Sequence, residues 1–114
     1  MWRDQAYLLD ILIAARRILS YVADSSFEEF DRSDLVQSAI ERQFEIIGEA
    51  ARLVSNETRM QFPDIPWNMM TGLRNQLIHN YRNIDNQTLW QTIHHDLPKL
   101  IEQIHHVIPP EDQV

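Results

Sequence analysis

The chain has 114 residues, 44% of them hydrophobic, with formal net charge -7 and no cysteine. That length supports one domain, residues 1–114, with a modest core, and no apolar run reaches the roughly 18 to 20 residues of a membrane span. Disulfides and thiolate chemistry are excluded, and a pI near 5.0 argues against a protein that coats nucleic acid, because phosphate neutralisation needs clustered Lys and Arg. The start, Met1-Trp2-Arg3-Asp4, has no basic region followed by an apolar core, so no signal peptide is expected. Together with the absence of cysteine, this fits the cytoplasm.

From Arg3 to Ala23 the apolar residues Tyr7, Leu8, Ile11, Leu12, Ala15, Ile18, Leu19 and Val22 recur at spacings of three and four. This is the pattern of an amphipathic helix. Asp24-Ser25-Ser26 ends it, and Ser26 with Glu29 resembles a capping box for a short turn over Phe27 to Phe30. A second long helix is expected from about Ser33 to Ser55, with Leu35, Val36, Ala39, Ile40, Phe44, Ile47, Ala50, Ala51 and Val54 on its apolar face. Gly48 inside it costs about 1 kcal/mol against Ala and suggests that another helix approaches closely there. Glu41, Glu45 and Glu49 form an i, i+4 ladder, either a solvated face or a source of one carboxylate that orders an arginine across a groove.

Asn56 can cap a short helix that stops before Phe62-Pro63. Pro66 suits the first position of the next helix, expected to run to about Tyr81. Residues 82 to 84 connect to a last long helix capped by Asp85, with Trp90, Ile93, Leu97, Leu100, Ile101, Ile104 and Ile108 on its stripe. Pro98 removes a backbone donor, so a kink or break is expected there, and Pro109-Pro110 ends the helix. No stretch alternates with period two. The expected architecture is an all-α antiparallel bundle of four main helices plus short ones.

One stretch stands apart. Between Trp67 and Ile84 there is no acidic residue, while Arg74-Asn75-Gln76-Leu77-Ile78-His79-Asn80-Tyr81 gathers an arginine, a histidine and a tyrosine, with Arg82 following. At about 100° per residue, Asn75 and His79 share a face, whereas Arg74 and His79 lie roughly 140° apart. One regular helix does not join that pair well. A symmetric dimer with these helices beside its axis would bring two arginines and two histidines into one cleft.

Such groups suit RNA cleavage by the substrate's own 2′-hydroxyl, which needs a base, an acid and positive charge on the phosphorane-like transition state. A histidine can be base or acid, and an arginine can donate two hydrogen bonds to phosphate oxygens. Asn75 could orient His79 or the phosphate. Tyr81 could bond a phosphate or stack on a base. A lone Arg and His on one helix also fits an ordinary surface or core pair.

Arg74-Asn75-x-x-x-His79-x-Tyr81 resembles the Arg-x4-6-His motif of the HEPN superfamily, in the form found in HepT-type toxins. Leu8-Leu9-Asp10-Ile11-Leu12, Glu45-Ile46-Ile47-Gly48-Glu49-Ala50-Ala51, Ile65-Pro66-Trp67 and Asp96-Leu97-Pro98 are similar to that family in the expected order. The resemblance implies a HEPN fold, a homodimer with a composite cleft and a metal-independent endoribonuclease with no cofactor. Its implied partners are RNA and a minimal nucleotidyltransferase antitoxin of the MntA type, as in type VII-like toxin–antitoxin pairs. That antitoxin can transfer AMP onto the motif tyrosine, here Tyr81, blocking the site by charge and bulk. Arg74 and His79 carry over as catalytic and Asn75 as the polar motif position; Asn80 and Arg82, beside the motif in this chain, are further candidates for supporting polar or substrate contacts. Many relatives have Gly where this chain has Asn80, and Asn tolerates left-handed backbone better than most residues. HEPN-like bundles also serve as non-catalytic helper modules beside a nucleotidyltransferase; keeping both Arg74 and His79 favours the enzyme.

His94-His95 and His105-His106 look like metal ligands, but His94 and His105 are eleven residues and ~16 Å apart on a helix, so solvated or partly packed histidines are expected. Trp2 and Trp90 suit the core or an interface. Trp67 reads as an anchor for the motif helix or as a base-stacking residue. Met69 and Met70 suit packing.

Overall fold

The computed structural model describes residues 2–79 and 84–108, and these are all-helical. Helices α1 (Trp2–Val22), α2 (Phe27–Asp31), α3 (Asp34–Leu53), α4 (Asn56–Gln61), α5 (Trp67–His79), α6 (Asn86–Gln91) and α7 (Leu97–His105) follow in order. A π-helical turn, Thr92–Asp96, joins α6 to α7. The four main helices of the expected bundle are thus α1, α3, α5 and the run from α6 through α7.

The core is made by the faces that periodicity selects. Leu8, Ile11, Leu12, Ala15 and Ile18 of α1 are buried with Ile40, Phe44, Ile47 and Ala51 of α3 and Leu97, Leu100 and Ile104 of α7. α3 lies centrally, packed on α1 on one side and α5 on the other, and α7 covers α1. Asp4 at the start of α1 accepts hydrogen bonds from Ser55 just past the end of α3, so these two helices run antiparallel. Leu35 departs from its expected place: in the first turn of α3 it is 81% exposed, while its neighbour Val36 is the residue that packs against the core.

Several termini follow sequence rules. Ser26 and Glu29 form a full capping box, and Ser33 and Asp85 accept hydrogen bonds from Val36 and Thr88. Asp24 takes φ 65°, the left-handed conformation in which α1 ends. The cap of α4 is Ser55 rather than Asn56: its hydroxyl accepts from Thr58 N–H at 3.3 Å, and Asn56 is already helical. The helix carrying the Arg–His motif starts at Trp67, with the Pro66 carbonyl accepting from Met70 N–H.

The interruption expected at Pro98 takes the form of the π turn. Leu97 N–H reaches back five residues to Thr92 O, and Pro98 falls in the first turn of α7, where its missing donor costs little. Trp90 packs with Phe27 and Phe30, joining α6 to α2. The last helix stops at His105, with His106 as its C-cap, short of the Ile108 and Pro109-Pro110 end expected for it. The side chain of Trp2, the expected end of the motif helix at Tyr81 and Pro109-Pro110 themselves lie outside the described residues.

Candidate functional site

The site is built where α5 crosses α3. A Cβ on Gly48 would fall 2.7 Å from Met70 O and on top of Arg74 Cβ, so only glycine lets α5 come this close. The Arg74 stem therefore rests on α3 backbone, and its side chain is only 26% exposed. Arg74 Nη2 lies 3.3 Å from Glu49 Oε2, and Nη1 donates to Asn75 Oδ1 at 3.0 Å. Two different contacts fix the plane of the guanidinium.

Glu49 is itself gripped. Arg52 Nη2 donates to Glu49 Oε1 at 2.7 Å and Arg52 Nε to Oε2 at 3.3 Å, a side-on pair on one turn of α3. The Arg52 hydrogen bonds hold the Glu49 carboxyl below its ordinary range despite partial desolvation, and the charges of Arg52 and Arg74 add to the effect. The rest of the ladder behaves differently. Glu45 pairs with exposed Arg42 at 3.4 Å, while burial and then the Glu45 charge push the Glu41 carboxyl up. Of the two readings of the ladder, the solvated face fits Glu45, and the carboxylate that orders an arginine across a groove is Glu49.

Asn75 is exposed, and its amide oxygen is turned to Arg74, which aims the NH2 group the other way. His79 is the last residue of α5 and is exposed, one turn beyond Asn75. Leu77, 4% exposed, anchors this end of the helix to the core. Asn75 and His79 lie one turn apart toward the end of α5, whereas Arg74 sits near its middle, turned onto α3, and has no contact with His79 among the described residues. Asn80, Tyr81 and Arg82 lie outside the described residues.

The start of α5 is fastened by Trp67, which is 7% exposed and donates its indole N–H to Phe62 O at 3.0 Å. This is the anchor reading; a buried indole has no face for a base. Met70 is buried under the same helix and Met69 packs against the core. The paired histidines are all exposed, and two of them make contacts: His94 Nδ1 lies 2.9 Å from Trp90 O with the ring centroids 4.2 Å apart, and His105 Nε2 contacts Arg16 Nη2.

Two features near this scaffold carried no local signal. Gln43 is 8% exposed, and its Oε1 has no hydrogen-bond partner among the described residues. Asp4, 5% exposed, gathers Ser55 N, Ser55 Oγ and Thr58 Oγ1 from over fifty residues away. Only the burial of position 4, inside an otherwise polar helix start, distinguishes it, and burial is not readable from one strand of sequence.

Residues 11–107 match the family described as "Ribonuclease HepT-like". The chain is 40% identical over 100 residues to "Putative RNase MJ1380" of Methanocaldococcus jannaschii, covering 88% of this chain and 92% of that protein. It is 38% identical over 94 residues to "Probable ribonuclease HepT" of Thermococcus cleftensis, covering 82% and 86%. A third relative, "Putative RNase TTE0752" of Caldanaerobacter subterraneus, is 32% identical over 111 residues, covering 97% and 99%. No solved structure matches the chain. With a family match spanning nearly the whole bundle and the Arg–His motif mounted on α5, the chain belongs to the HepT-like family of the HEPN superfamily.

Proposed function

We propose that the protein is a metal-independent endoribonuclease acting as a homodimer, with Arg74 and His79 as its catalytic residues. The observation that carries the reading is the pre-set guanidinium of Arg74, fixed by Glu49 and Asn75 on the helix whose last residue is exposed His79. Family membership and relatives named as ribonucleases support it.

In this reaction the 2′-oxygen attacks the adjacent phosphorus and the P–O5′ bond breaks. The 2′-hydroxyl proton passes to a base, and the 5′-oxygen takes a proton from an acid. His79 supplies one of these roles and His79 of a second copy the other. Arg74 donates to the non-bridging oxygens, where charge accumulates in the transition state. The products are a 2′,3′-cyclic phosphate and a 5′-hydroxyl. The chemistry asks only for proton transfer and fixed positive charge, and the residues to hand supply both.

A minimal nucleotidyltransferase of the antitoxin type is the proposed regulator, with Tyr81 as the residue it modifies with AMP. A nucleotide on Tyr81, two residues past His79, would add negative charge and bulk at the cleft.

The test is the chemistry of the ends. RNA cut by purified protein is expected to carry 2′,3′-cyclic phosphate and 5′-hydroxyl termini, and a fully 2′-deoxy strand of the same sequence is expected to stay intact. Cutting of the deoxy strand, or 5′-phosphate ends on the RNA, would contradict the mechanism. A folded, unmodified dimer that cuts no RNA would favour the helper-module reading.

A further inference from the structure

The Arg74 guanidinium does not stand alone: it is a link in a chain of contacts, Arg52 to Glu49 to Arg74 to Asn75, laid across the α3–α5 crossing. We propose that Glu49 and Arg52 are positioning residues, Glu49 holding the Arg74 guanidinium in the plane that receives a phosphate and Arg52 holding Glu49. The proposal rests on the ribonuclease reading for its kinetic consequence, but not for its geometry.

Three observations carry it. Gly48 brings the Arg74 stem onto α3, so the guanidinium begins next to residue 49 instead of reaching for it. Glu49 is contacted through both oxygens, Oε1 by Arg52 and Oε2 by Arg52 and Arg74, which leaves its carboxylate little freedom to rotate. Arg74 meets Glu49 through Nη2 and Asn75 through Nη1, so the two contacts lie on different nitrogens and define a plane rather than a point.

A carboxylate beside a phosphate-binding arginine could instead act as a competitor that the substrate must displace. The Arg52 grip argues against that role. Sharing its charge with Arg52 weakens the claim of Glu49 on Arg74, and a carboxylate already paired elsewhere orients without neutralising. The two roles give opposite signs. Loss of a positioning group lowers kcat with KM little changed, because an arginine that wanders must be re-ordered in the transition state. Loss of a competitor tightens RNA binding.

The experiment pairs cleavage kinetics with NMR of the arginine side-chain N–H groups, with the Arg74 signals assigned by their disappearance in Arg74→Lys. Glu49 and Arg52 are half exposed, so their variants keep the fold, checked by circular dichroism. Glu49→Ala is expected to lower kcat 10- to 100-fold with KM changed less than threefold, and to collapse the separate Arg74 Nη signals into one averaged line. Glu49→Gln, which keeps an acceptor oxygen, is expected to restore part of both. Arg52→Ala is expected to show a weaker form of the same pair of effects. Arg74 signals already averaged in the unaltered protein, or unchanged in Glu49→Ala, would overturn the proposal, as would tighter RNA binding with undiminished kcat. Should the unaltered protein cut no RNA, the ribonuclease reading fails, and the NMR comparison decides on its own whether Glu49 and Arg52 hold Arg74.

Discussion

Gly48 and Gly72 are both helical glycines, yet they stand in opposite surroundings. A Cβ at Gly48 runs into Arg74 and the Met70 carbonyl, while one at Gly72 meets nothing within 4 Å. Gly48→Ala is therefore expected to push α5 off α3, with overpacking of about 1–3 kcal/mol exceeding the gain in helix propensity. Gly72→Ala is expected to stabilise by up to about 1 kcal/mol. Thermal unfolding of the two variants checks this pair: Gly48→Ala should melt lower and lose Arg74-dependent activity, and Gly72→Ala should melt slightly higher. If both behave alike, the close approach at Gly48 does not matter to Arg74. The close approach itself was legible in the sequence, since a glycine in a long apolar-striped helix needs a reason. Its neighbour Glu49 was legible only as one of two readings, because choosing among three carboxylates at equal spacing requires knowing which one faces α5.

At the level of elements, α1, α3 and the run from α6 through α7 announce themselves by their apolar period, α5 is announced by Pro66 before it, and Ser26, Ser33 and Asp85 announce three of the starts. The rest depended on partners far away in the chain. Leu35 fits the stripe of α3 but is exposed in its first turn, where Val36 faces the core, and Ser55 rather than Asn56 caps α4 because Asp4 holds Ser55 in place from the start of α1. Burial alone would raise the Asp4 carboxyl, but hydrogen bonds from the Ser55 and Thr58 hydroxyls and the Ser55 N–H outweigh it and hold the group below its ordinary 3.8. A carboxyl depressed in the native state stabilises the fold above its unfolded value, and that contribution is lost as pH falls through the native one. Stability measured by denaturant titration should therefore fall as pH drops below about 4, and less steeply in Asp4→Asn, which keeps the shape but not the charge. Asp4→Ala, which leaves three donors without their carboxylate, is expected to cost roughly 2–3 kcal/mol at neutral pH. An equal acid response in the parent and Asp4→Asn would show that this tie between α1 and α4 is not what acid breaks.

For the whole molecule, 17 acidic residues against 10 basic ones leave little to attract a polyanion, and the stretch from Trp67 to Ile84 is the one acid-free length around the motif. A protein that grips RNA at one place releases few counterions, so binding should depend weakly on salt, with a slope of about -0.7 per phosphate neutralised on a single strand. Titrations of His79→Ala with RNA at several salt concentrations should give a total slope of about -1 to -3, and adding Arg74→Ala should remove about 0.7 of it. A steep slope that survives Arg74→Ala would place RNA elsewhere on the bundle. The central question is whether RNA is cut through His79, exposed at the end of α5, with Arg74 five residues before it. The measurement is cleavage of total RNA in EDTA by the purified protein and by His79→Ala, with intact mass read on the same samples to detect AMP on Tyr81. The account predicts EDTA-resistant cutting by the unmodified protein, lowered at least 100-fold in His79→Ala with its fold retained; equal cutting by both would contradict it.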